Sequence, residues 1–156
     1  MRVTLFAFLL ATTVAFAAND TFRVRVTGIV DGDTIYVRDP RGRTAMVWID
    51  GIDAPEPRQA YGARAKYALR GLVSMRTVTV IPRTMDGRGR IVGRVLLGNV
   101  DIGLEQVRRG MAWYDDTADL DDARAYQDAQ EAARREGAGL WREGHAVPPW
   151  EYRRLR

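Results

Sequence analysis

Three carboxylates from two short stretches define the chemistry open to this chain. Asp33 stands in Val30-Asp31-Gly32-Asp33-Thr34, and Asp53 and Glu56 stand in Gly51-Ile52-Asp53-Ala54-Pro55-Glu56. The 156 residues include one His and no Cys. That excludes a thiol nucleophile, a zinc–thiolate cluster and a His-rich transition-metal site. Oxygen ligands remain. They suit a hard cation such as Ca²⁺ or Mg²⁺, with one carboxylate left over to handle a water. Lys and Arg outnumber Asp and Glu by 24 to 20, a net charge of +4. Arginines gather at Arg88, Arg90 and Arg94, and again at Arg153, Arg154 and Arg156. A phosphodiester is an anion that repels hydroxide, so a site that cleaves it must first neutralise charge. Carboxylates holding a cation amid arginines meet that requirement.

The elements that would position these groups follow from periodicity. Residues 21–30 alternate apolar and polar side chains, which predicts a strand. Asp31-Gly32-Asp33 reads as a tight turn, with Thr34-Ile35-Tyr36-Val37 resuming the sheet as a hairpin. Asp39-Pro40-Arg41-Gly42 is a second turn, leading to a third strand over Thr44 to Ile49. After Pro55 the spacing of Tyr61, Ala65, Ala68, Leu69 and Leu72 becomes helical. Strands are predicted over Thr77–Ile81 and Arg90–Leu97, around a turn at Asp86-Gly87-Arg88-Gly89. A short helix over Leu104–Arg109 ends at Gly110, and a longer one over Asp121–Glu136 ends at Gly137. The fold class is α+β: a five-stranded OB-type Greek-key barrel, one inserted helix and two C-terminal helices. The basic tail, residues 142–156 with Pro148-Pro149, is expected to run extended over the body.

The N-terminus has a separate signature. Arg2 precedes an almost wholly apolar run from Val3 to Phe16, and Ala15-Phe16-Ala17 fits a small-x-small cleavage site. That run is shorter than the roughly 20 residues a membrane-spanning helix needs. Residues 1–17 therefore read as a signal peptide, and the product as secreted or periplasmic with no stable membrane association. Loss of Arg2 leaves 23 basic residues against 20 acidic, a mature charge of +3. The folded domain is placed at residues 18–141 and expected as a monomer.

These motifs resemble the staphylococcal nuclease (thermonuclease) family across nearly all of the mature chain. Asp31-Gly32-Asp33-Thr34 is similar to the family's first turn and Gly51–Glu56 to its second. Tyr61-Gly62 with Ala65 is similar to the start of its helix. Asp86-x-x-Gly89-Arg90 resembles the third signature, with Arg88 where an aromatic is common. Val107–Trp113 and Gly139-Leu140-Trp141 resemble the C-terminal signatures. The resemblance implies a Ca²⁺-dependent phosphodiesterase acting on DNA and/or RNA. It makes Asp33 and Asp53 calcium ligands, with the Ala54 carbonyl as a third oxygen. Glu56 would be general base or position the attacking water, and Arg90 would hold the phosphate.

One position departs from the pattern. The family usually carries a second phosphate-gripping arginine eight residues before the glutamate, and here that residue is Trp48. An indole cannot donate a bidentate, charge-assisted hydrogen bond. Losing such a donor costs roughly 2–4 kcal/mol in the barrier, or about 30- to 1000-fold in rate. Arg94, four residues after Arg90 on the same strand face, is a candidate to compensate. Alternation turns Trp48 away from Val47 and Ile49, toward the cleft. There it could stack on a base or serve as a core aromatic. Trp113 could likewise stack on a base, although packing that closes the barrel is the favoured reading for Trp113. Plainer readings exist for each group: turn former for Asp33, turn and helix-start acids for Asp53 and Glu56, solvated arginine for Arg90. The alternative function is an OB-type nucleic-acid-binding module without turnover. A structural, partner-binding exported domain is a third class.

Overall fold

Val24 and Val26 are buried while Arg23 and Arg25 face solvent, so the alternation in the first strand, β1 (Phe22–Ile29), decides which side meets the core. The structure, a computed structural model, describes residues 21–155. The expected signal peptide at residues 1–17 lies outside the described residues. Strand β2 (Thr34–Arg38) returns antiparallel to β1, and β3 (Thr44–Ile49) returns antiparallel to β2. A two-residue strand, β4 (Ile52–Asp53), and helix α1 (Gly62–Val73) follow. Helix α1 buries Ala65, Leu69 and Val73, the stripe its sequence presents.

Strands β5 (Thr77–Met85) and β6 (Ile91–Leu97) form the second hairpin, and β5 pairs with β1. Parallel pairing of β3 with β6 through Val47↔Ile91, Trp48↔Val92 and Ile49↔Gly93 closes the five strands into a barrel. Closure leaves no unpaired edge among these strands. The interior is filled by Val26, Ile35, Val37, Val47, Ile49, Val78, Val80 and Val95, all buried. Strand β5 runs past the predicted end at Ile81. Pro82 sits inside it, where the register against β6 shifts between Pro82 and Thr84, and a proline is tolerated at such a bulge.

Two-residue strand β7 (Val100–Asp101) leads into α2 (Ile102–Arg108), capped by the Asp101 carboxylate on the Leu104 N–H at 3.2 Å. The helix therefore starts earlier than Leu104. Strand β8 (Trp113–Tyr114) pairs with β4, and α3 (Ala123–Glu136) packs on α2. A 3₁₀ turn occupies Gly139–Glu143. The tail is not extended to its end: Pro149–Arg154 form a further short helix, α4, with Pro149 at its first turn. Among the described residues, no helix is long and apolar enough to cross a membrane.

Candidate active site

Gly32 brings the two acidic turns together. A Cβ there would lie 2.6 Å from the Cβ atoms of both Ala54 and Ala65, so only glycine lets the first turn seat against the second and against α1. The Gln106 side chain fastens the same turn from below. Fully buried on α2, it donates through Nε2 to the Gly32 carbonyl at 2.8 Å and to the Ala65 carbonyl at 3.2 Å. Asp33 is thereby aimed at the second turn. Its Oδ2 accepts the Ala54 N–H at 2.7 Å and its Oδ1 the Thr34 hydroxyl at 2.8 Å. The second turn is set by β4, where Asp53 pairs with Trp113 of β8. Glu56 follows on a loop whose carbonyl comes so near Gly62 that a Cβ there would sit 2.0 Å from it.

These groups line one cavity of about 450 Å³, with Asp31, Asp33, Trp48, Asp53, Ala54, Glu56 and Arg90 on its walls. Asp33 and Asp53 are 6% and 7% exposed. Burial, and then the neighbouring Asp31 carboxylate, push Asp33 well above the usual carboxylate range. Burial also raises Asp53, although Arg153 opposes it. These two buried acids, Asp53 already paired with Arg153, form a hard-oxygen set that a divalent cation could satisfy by taking the place of that guanidinium. Among the described residues, no three Asp, Glu, His or Cys side chains converge as a complete metal cage. A divalent cation seated on these two acids would have to complete its shell with carbonyl and water oxygens. Asp33, Asp53 and the Ala54 backbone are the residues placed to hold it.

Arg90 enters through closure of the barrel. It directly precedes Ile91, the parallel partner of Val47, and so arrives beside Trp48 with its guanidinium 4.7 Å from that ring. Asp86 fixes it from behind, accepting the Arg90 N–H at 2.9 Å and Nε at 2.7 Å. Trp48 therefore faces the cavity, as alternation requires, and underlies Arg90.

Two sequence candidates lie elsewhere. Arg94 donates to Asp101 at 2.5 Å and to Asp122, which ties β6 to the starts of α2 and α3 and keeps it off the cavity wall. It does not stand in for an arginine at position 48. Trp113 is 3% exposed and meets Trp141 and Trp150 edge-on, at 5.2 and 6.5 Å between centroids. It packs rather than offering a face to a base. One cavity residue was not anticipated. Arg153 of α4 donates through Nη2 and Nη1 to the two Asp53 oxygens at 2.7 and 3.1 Å, and through Nη1 to Glu56 at 2.8 Å. The sequence signal was the arginine-rich end after Pro148-Pro149-Trp150, which composition alone does not connect to Asp53.

Comparison with known proteins agrees with this architecture. Residues 46–143 match the family model described as staphylococcal nuclease homologue. The chain is 37% identical to protein ParB of Escherichia coli, over 95% of this chain and 88% of that one. It is 38% identical to a micrococcal nuclease of Shigella flexneri, over 85% and 81%. An uncharacterized endonuclease of Haemophilus influenzae is 33% identical, over 94% and 81%. A closed OB-type barrel carrying Asp33, Asp53, Glu56 and Arg90 on one cavity, with matches of this extent, places the chain in the staphylococcal nuclease family.

Proposed function

We propose that this protein is an exported, calcium-dependent nuclease that hydrolyses phosphodiester bonds of DNA and/or RNA with little sequence preference. The observation that carries the proposal is the convergence of Asp33, Asp53, Glu56 and Arg90 on one cavity from three separate segments. The nuclease and endonuclease names of its relatives point the same way. Asp33, Asp53 and the Ala54 carbonyl would hold Ca²⁺, which supplies positive charge against the repulsion between phosphodiester and nucleophile. Glu56, half-buried at the cavity wall, accepts the proton of the attacking water. Arg90, held by Asp86, donates to the phosphate oxygens as negative charge builds on them.

Trp48 favours the competing reading, nucleic-acid binding without turnover. Cleavage of single-stranded DNA by the mature chain separates the two. Turnover is expected with Ca²⁺ and not with chelator, and Asp33→Ala should remove the response to calcium. Salt-sensitive binding with no turnover under any divalent cation would make the chain a binding module.

A further inference from the structure

Arg153 has no counterpart in the mechanism above, yet its guanidinium sits at the centre of the acidic group. It is placed there by structure. Trp150, one helical turn earlier, packs edge-on against Trp113, and Trp113 is the β-partner of Asp53. Gln59 accepts the Glu56 N–H at 3.1 Å through Oε1 and donates to the Val147 carbonyl at 2.5 Å through Nε2. The Glu56 loop and the start of α4 are therefore joined on both sides of Arg153. Its side chain remains 48% exposed, facing the cavity it helps to line.

We propose that Arg153 is a catalytic residue that grips the substrate phosphate opposite Arg90. The proposal rests on the nuclease reading of the site. A divalent cation at Asp53 and the guanidinium at Asp53 are alternatives for the same two oxygens. Once the cation is bound, Arg153 loses its bidentate partner but stays tethered within reach of Glu56. The acceptor that enters next to Glu56 is the phosphodiester, an anion whose paired oxygens match a guanidinium fork. Trp48 cannot supply two parallel donors on the β3 wall, and Arg90 has its Nε engaged by Asp86. A second forked donor is needed to spread charge over both non-bridging oxygens, and Arg153 is the one the fold delivers.

The test compares Arg153→Ala, Arg153→Lys and Arg153→Ala/Trp48→Arg with the parent protein. Arg153→Ala should lower kcat/KM on the order of 100-fold, the usual cost of one transition-state donor. Lysine should recover only part of this, and Trp48→Arg, returning a fork to the same cavity, should recover most. Calcium affinity, read by titration, should stay equal or rise in Arg153→Ala because the competitor for Asp53 is gone. A readout independent of turnover uses single-stranded DNA binding in a Glu56→Gln background with calcium. Removing Arg153 should reduce the slope of log K against log salt by about 0.7, one phosphate contact on a single strand. Cleavage by Arg153→Ala as fast as the parent, or faster, would overturn the proposal and leave Arg153 a counter-ion that calcium displaces. Loss of calcium binding in Arg153→Ala would overturn it too, by making Arg153 a builder of the metal site. If the parent does not cleave at all, the nuclease reading fails, and an unchanged salt slope then removes the Arg153 contact as well.

Discussion

Asp33 shows how a single residue is prepared for a cation. Its folded-state pKa is raised, so between the unfolded value and the folded one the native chain binds more protons than the unfolded chain. Stability of the metal-free protein therefore falls as pH rises through that window. The same protons compete with calcium, so calcium affinity should weaken as pH drops from neutrality, beginning above the ordinary carboxylate range. Asp33→Asn should melt higher than the parent without calcium and lose the calcium-induced rise. That rise in the parent corresponds to about 2.7 kcal/mol at a hundred times Kd. Thermal melts at two pH values, with calcium and with chelator, check both statements. At this scale the ordered family-like motifs singled out Asp33, Asp53, Glu56 and Arg90, which the fold sets on one cavity, whereas turn and strand patterns alone left each a plainer structural reading. Arg94 was misplaced for a physical reason. Same-face spacing on β6 gives direction, whereas Asp101 and Asp122, from other elements, decide which carboxylate the guanidinium reaches.

At the scale of elements, the site depends on how α2 holds the first turn. Gln106→Leu preserves volume and removes both hydrogen bonds, leaving the Gly32 and Ala65 carbonyls buried without that donor. Ala65 lies inside α1, where its carbonyl keeps a helical partner, so the expected cost is roughly 1–3 kcal/mol for the Gly32 acceptor. A displacement of Asp33 should also lower cleavage more than the fraction unfolded explains. Denaturant midpoints measured beside specific activity test this, and an intact activity at reduced stability would confine Gln106 to a structural role. The barrel strands and α1 were legible because alternation and 3.6-residue spacing run over several turns. Strands β4, β7 and β8 span two residues each, too short for any period. Helix α4 has six residues, and what fixes it is the contact of Trp150 with Trp113, a long-range fact absent from local pattern. Pro82 hid the second half of β5 because a proline ordinarily ends a strand, and here a bulge absorbs it.

For the whole molecule, barrel closure is what turns scattered motifs into a site. Pairing β3 with β6 places Arg90 over Trp48, and the hairpin turn of β1–β2 places Asp33 against Ala54, so the closed ring brings the two halves of the cavity together. The C-terminal segment then adds Arg153 across the opening, on a scaffold of three tryptophans. In the proposed mechanism this assembled cavity breaks a phosphodiester with Glu56 handling the proton. Single-turnover cleavage of single-stranded DNA by excess protein in calcium tests it, parent beside Glu56→Gln, with binding measured in parallel. Glu56→Gln should bind equally or more tightly and cleave about 100-fold or more slowly. Cleavage by Glu56→Gln at the parental rate would contradict this mechanism and move the chemistry to another group.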